Sequence, residues 1–424
     1  MNRPKRYRPQ GAFARWLDAR LPFWRFFYIF FIEFQIPRNL NYLYSFGGIL
    51  CLLFLSQLLT GISIAMHYIP DIEQVFMARD HFMRHIAFGW LLVPWHATGA
   101  SFFFLAMYIH IARSLYYGSY KAPREVVWVV GVILYFIMMA IAFSGYVLVW
   151  GQMSVSAMTV ISNLFKTLPF VGNWLYETLL GGYTLGQPTL NRLMIFHYFL
   201  PMLLLFFLIL HIWALHHVGQ SNPSGIPAKK GKDTIPFHPY GVVKDFFAAA
   251  LFMLIFSWFL FFMPDYMGQP ANFIAGDPLQ TAPHIVPEWY FLPFYAILRA
   301  IDFNIGSLLS TTTGGAVLIA SLLIWLFLPW LDRSRLYCAR HRPIYRLFFW
   351  LFIADLILLG WLGAQPVENW PIGLAQGCVF YYFFFFLVIL PFLPYFEKNV
   401  HPLHASIADQ DQYHKTREKR GSLF

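Results

Sequence analysis

Charge is what this chain has least of. Only 12% of its residues are Asp, Glu, Lys or Arg, against 58% hydrophobic and 20% aromatic, too little polar surface to wrap a soluble globule. Cysteine is scarce too. Cys51, Cys338 and Cys378 are too few and too scattered for a disulfide framework or an iron–sulfur ligand set, and the absence of CxxCH excludes a covalently attached haem. No nucleic-acid-binding module accompanies the net charge of +10, so the surplus is assigned to anionic lipid. The apolar stretch from Leu21 to Phe34 is broken by Arg25 and Glu33 and has no small-residue cleavage site. It is expected to lie in the membrane interface, neither signal peptide nor span.

Long apolar runs, by contrast, are plentiful. Stretches long enough to cross hydrocarbon run from Leu43 to Met66, Leu91 to Ser114, Val126 to Trp150, Leu193 to Ala214, Phe246 to Met263, Ala316 to Trp330, Leu347 to Leu362 and Val379 to Leu393. The expected fold is an all-α integral membrane protein of eight transmembrane helices. An even number puts both termini on one side. All of the 30 Lys and Arg except Arg79, Arg84, Lys166, Arg192 and Arg299 fall on segments facing that side, so the positive-inside rule makes both termini cytoplasmic in a cell inner membrane.

Two of the runs carry histidines deep inside them. His96 and His110 sit in the second and His197 and His211 in the fourth, each pair 14 residues apart. Fourteen helical residues rise about 21 Å and make nearly four whole turns, so each pair lines one face at two depths. A single buried histidine is most simply a hydrogen-bonded core residue. The same interval on two helices points instead to two irons, each held axially by His96 with His197 or by His110 with His211. Gly47 and Gly61 in the first run and Gly131 and Gly145 in the third repeat the interval. Small-residue helix packing would explain either glycine pair alone; the shared interval favours close approach to a flat macrocycle, where a Cβ would obstruct. The first four helices then form a diheme four-helix bundle.

Four motifs complete the picture: HATGAS from His96, HIARSLYYGSY from His110, SGYVLVWGQM from Ser144 and PEWYFLPFYAILRAI from Pro287. With them the chain, from about Ile36 to Phe396, resembles cytochrome b of the quinol:cytochrome c oxidoreductases, respiratory complex III, in its fused bacterial or mitochondrial form. The chloroplast-type complex divides the helices between two chains. The resemblance implies a cytoplasmic arm with an interfacial helix over residues 1–38, the diheme bundle over 39–220 with a quinol-site loop at 151–190, a second four-helix region over 221–396, and a cytoplasmic tail over 397–424.

The resemblance further implies two non-covalent haems b, a low-potential one on His96 and His197 near the periplasm and a high-potential one on His110 and His211. Arg192 and Arg113 would pair with their propionates. Ubiquinol would be oxidised on the periplasmic side, where Glu288 takes up a proton beside Tyr146 and Tyr290. Quinone would be reduced on the cytoplasmic side beside His216 and Asp245, completing a Q-cycle that adds to the proton gradient. A Rieske iron–sulfur protein, a membrane-anchored c-type cytochrome and a second copy of the chain are the expected partners, and the chain is expected to be inactive without the first two. Five positions stand out against the family pattern. Val93 stands where an arginine bonded to the outer haem is usual, Val149 replaces a proline, Asp302 and Phe303 follow AILRAI in place of a common Pro-Lys, and Gln220 lies where a small or amide residue is found. Two other classes compete: a dehydrogenase-type cytochrome b, which would lack the PEWY segment, and a proton-relaying transporter, which would show an inverted repeat. Neither fits.

Overall fold

The computed structural model describes residues 7, 9–282, 284–304, 309–366, 370–397 and 406–409. The first basic residues of the N-terminal arm and most of the predicted tail lie outside these. In chain order the helices are α1 (Ala12–Arg20), α2 (Phe23–Phe27, extended by a π-turn over Tyr28–Ile32), α3 (Phe46–Ala65), α4 (Val75–His85), α5 (Gly89–Tyr117), α6 (Glu125–Val147), α7 (Gln152–Lys166), α8 (Gly172–Leu180), α9 (Gln187–Val218), α10 (Val242–Phe262), α11 (Leu292–Arg299), α12 (Ser310–Leu331), α13 (Pro343–Gly363) and α14 (Ile372–Phe384, running on through a π-turn). Eight of these described helices, α3, α5, α6, α9, α10, α12, α13 and α14, are long and apolar enough to cross a membrane. Strands β1 (Gln35–Pro37) and β2 (Thr234–Pro236) pair antiparallel, fastening the arm to the segment before α10.

The helices that matter most for function run past the hydrocarbon at both ends. α9 has 32 residues, about 48 Å of helix against a core of roughly 30 Å. Gly186 and Pro188 start it before the apolar run begins, and Gly219, at φ 77°, ends it. α5 likewise ends at Gly118 in the left-handed conformation. These caps explain why both helices exceed the stretches that hydropathy alone marks.

The connection at 151–190, expected as a loop, contains α7 and α8. Val155, Met158 and Ser162 repeat at helical spacing and are buried, giving α7 one apolar face that packs with Leu148, Trp150, Leu190 and Leu193. The segment is too short and too polar on its other face to register as a span. α2 and its π-turn form a ten-residue apolar helix, too short to cross, as the interfacial reading expects.

Three kinds of contact join the first four spans to the last four. Trp128 donates its indole hydrogen to the Trp325 carbonyl at 2.6 Å, and the Tyr108 hydroxyl donates to the Tyr290 carbonyl. On the face opposite α7, Asp332 accepts from Lys121 at 2.9 Å and from Arg342 at 2.8 Å, and Arg342 also binds Glu397 at 2.9 Å. Arg342 is fully buried. Burial lowers its pKa, but Asp332, with Tyr120 and Tyr345, holds it above the ordinary value, and removing one partner of such a buried pair costs on the order of 3–5 kcal/mol.

Candidate functional site

The four histidines form two tiers inside the first four spans. In the upper tier the rings of His96 and His197 face each other with centres 6.3 Å apart and planes 78° apart, a gap that fits one metal atom between two ring nitrogens at bonds of about 2 Å each. The Thr60 hydroxyl gives its hydrogen to the Ser56 carbonyl at 2.9 Å, so at the 2.9 Å contact with His96 Nδ1 it is the acceptor. His197 Nδ1 donates to the Ile141 carbonyl at 3.0 Å. Both rings therefore carry hydrogen on Nδ1 and keep Nε2 as a free lone pair, the arrangement a metal ligand requires.

Each histidine lies against one of the four glycines. A methyl group built on Gly145 would stand 2.4 Å from His197 Cε1, on Gly61 3.1 Å from His96, on Gly131 3.1 Å from His211, and on Gly47 3.6 Å from His110. Thus α3 sheathes α5 and α6 sheathes α9. The predicted glycine positions are the ones that let the ligand helices approach.

The lower tier is more open. His110, His211, Gly47, Gly131 and Arg113 line a cavity of about 900 Å³. His211 Nδ1 is buried and leans toward the Val127 carbonyl without closing a hydrogen bond. Arg113, which can only donate, approaches His110 Nδ1 at 3.2 Å. At that contact the ring hydrogen sits on Nε2, so ligation by His110 needs Arg113 to swing to another acceptor. Its Nε has no partner, no carboxylate lies within ion-pair distance among the described residues, and its charge rests on the Tyr44 ring at 4.7 Å. A cavity-lining cation so poorly paired suits an anionic substituent on a bound ligand.

This donor set can be weighed against a bare ion. Among the described residues no cluster of three or more His, Cys, Asp or Glu could hold a metal. Two histidines are too few for a protein-only site, but they are a complete axial pair for an iron already held by a porphyrin. Fit therefore favours haem in both tiers. Arg192, expected to pair with a propionate of the upper haem, lays its guanidinium over Gly181, where a methyl group would meet it at 1.3 Å.

Beside the upper tier, Glu288 ends the loop that leads into α11 and is only 8% exposed. Burial pushes its pKa up to about 7, partly offset by the Tyr146 hydroxyl. The two closely approach without closing a hydrogen bond of ordinary geometry, since the Tyr146 oxygen is buried without a partner. Tyr290 stacks flat on Phe104 of α5, centres 3.9 Å apart, so it positions the loop. Asn272, which no sequence pattern singles out, accepts from the Ser154 backbone at 2.9 Å and hydroxyl at 3.0 Å and fixes the 264–282 loop over the start of α7. The expected trio of Glu288, Tyr146 and Tyr290 thus comes together.

At the lower end the cavity continues to Phe34, His216, Gln220 and Asp245. His216 Nδ1 meets the Ile212 carbonyl at 2.8 Å and Nε2 the Phe30 carbonyl at 3.1 Å. Both neighbours only accept, so each ring nitrogen of His216 is turned to a backbone carbonyl. Gln220 Oε1 is buried without a partner. His216 and Asp245 share the cavity as expected.

Residues 31–219 match the family Cytochrome b/b6/petB and residues 275–383 match Cytochrome b(C-terminal)/b6/petD. The chain is 47% identical to a cytochrome b of Rickettsia conorii over 388 residues, 92% of this chain and 96% of that one. It is 45% identical over 397 residues to a cytochrome b/c1 of Bradyrhizobium diazoefficiens, 94% of this chain and 57% of that longer one. Among solved structures, a chain of a hyperthermophilic respiratory complex III superposes with a TM-score of 0.82 at 32% identity, covering 91% of this chain and 99% of that one.

Proposed function

The chain belongs to the cytochrome b family, and from that premise we propose that it is the two-haem subunit of a quinol:cytochrome c reductase that carries electrons across the membrane between two quinone sites. The observation that carries this reading is the pair of histidine tiers, each sheathed by glycine. Two b-type haems bound there supply one-electron oxidation and reduction at two depths. His96 with His197 hold the upper one and His110 with His211 the lower. Thr60 and the Ile141 carbonyl fix the upper rings with Nε2 inward, and Arg113 neutralises acidic substituents below.

Quinol oxidation releases two electrons and two protons. In the upper site Glu288 accepts one proton as the carboxylate, the Rieske iron–sulfur protein takes the other proton with one electron, and a haem held by His96 and His197 would supply the acceptor for the second electron. In the lower site the His216 N–H that meets the Phe30 carbonyl turns to quinone and donates a proton as it is reduced, and Asp245 and the Gln220 carbonyl accept hydrogen bonds from the hydroxyls of the quinol that forms. The upper site faces the periplasm and both termini the cytoplasm, in line with the charge asymmetry, so the cycle adds to the proton gradient. A membrane-anchored c-type cytochrome takes the Rieske electron. The apolar face of α9, with Ile195, Phe199, Met202 and Phe206 exposed, suits a second copy of the chain in a homodimer.

An optical redox titration of the purified complex tests the reading: two low-spin b-type steps of different midpoint are expected, and one step or none overturns it. Glu288 accepts a proton only as the carboxylate, so quinol oxidation should rise with pH through about 7. Glu288→Gln should slow it by roughly 10²–10⁴-fold, flatten that rise, and leave both haem spectra intact.

A further inference from the structure

Gln57 carries a buried amide nitrogen that neither tier nor either quinone site uses. On α3 the residues Gly47, Leu50, Phe54, Gln57 and Gly61 follow one another at intervals of three or four, so they form one stripe along the helix. Its two ends are the glycines packed on His110 and His96, and Leu50 and Phe54 line the interior cavity. The stripe therefore faces the inside of the bundle, and its only amide is Gln57. Nε2 of that amide is buried with no hydrogen-bond partner, in an apolar setting where an unmet donor costs about 1–3 kcal/mol.

The backbone opposite has been cleared for it. A methyl group on Gly99 would stand 2.0 Å from Gln57 Nε2, so the amide occupies that spot only because residue 99 has no side chain. Gly99 follows His96 by three residues and precedes His110 by eleven. The amide thus lies about 4.5 Å along the helix from the upper ligand and about 16 Å from the lower one. We infer that Gln57 is a positioning residue of the electron path. Its unpaired N–H dipole, seated in the notch at Gly99 one turn from His96, stabilises the electron on the upper haem.

This rests on the two-haem reading, and the same titration separates the two. Gln57→Met keeps the length of the side chain and removes the donor; Gly99→Ala keeps the donor and expels it from its notch. Both variants should lower the midpoint of the upper haem alone. At fixed ambient potential its reduced-to-oxidised ratio should fall by up to tenfold, about 59 mV for a one-electron couple, with the lower midpoint unmoved. Unchanged midpoints in both variants, a rise, or a shift confined to the lower haem would overturn the inference while leaving two titrating haems, and so the proposed function, in place. A single titrating step in the unaltered complex would instead remove the premise. Should Gln57→Met assemble poorly, Gly99→Ala decides alone, since alanine suits the helix interior and every ligand is retained.

Discussion

The two tiers share a histidine pair, a glycine pair and an interval, yet they are finished differently. In the upper tier both Nδ1 atoms are bonded, to Thr60 and to the Ile141 carbonyl, and the rings already face each other. In the lower tier the residue equivalent to Thr60, fourteen positions earlier, is Phe46, and His110 meets Arg113 instead. The upper tier is preformed and has an apolar Val93 one turn before its ligand, whereas the lower is open and holds a buried cation. A cation beside a centre that gains an electron stabilises its reduced form. Repetition thus builds two alike cradles, and the side chains around them finish the two differently.

The strongest way to break this comparison is to remove one tier at a time. His197→Leu should reduce the haem content from two per chain to one and eliminate the lower-midpoint step, while His211→Leu eliminates the higher; pyridine haemochrome assay with titration reads both. If either variant removed both steps, the tiers would not be independent. A smaller effect separates the glycines. Gly145→Ala drives a methyl group to 2.4 Å from His197, whereas at Gly47 it stops at an ordinary 3.6 Å. Overpacking of the first kind costs about 1–3 kcal/mol, so Gly145→Ala should lower upper-haem occupancy and thermal stability while Gly47→Ala leaves the lower haem as it was. The smallest effect concerns charge. Val93→Arg should raise the upper midpoint and Arg113→Gln should lower the lower one, each by up to about 59 mV, narrowing the gap from both sides; a gap unmoved by both would mean that these charges do not set it.

The interval of 14 is legible in the sequence because helical periodicity turns spacing into direction, so the tiered histidines and the glycines packed on them could be named before any coordinates. The eight spans were readable for the same reason, since a bilayer demands length and apolarity. Thr60, the Ile141 carbonyl and Asn272 were not. They act across contacts between residues 36, 56 and 118 positions apart, and nothing in a local pattern reports which hydroxyl or carbonyl a distant ring will meet. Arg113 was found as a cation near the lower ligand, but its approach to His110 Nδ1 was not foreseeable. Arg192 lies five residues before a histidine of the upper tier, and its packing over Gly181 is likewise a contact that no local pattern reports.

The charge knot of Lys121, Asp332, Arg342 and Glu397 draws one member from the first half of the molecule and three from the second. Covalent continuity between the halves is therefore dispensable for holding them together. A protease nick at the exposed turn of Lys230 and Gly231 would yield two fragments that migrate as one particle, and a genome that encoded them as separate polypeptides would lose no contact on which their docking depends.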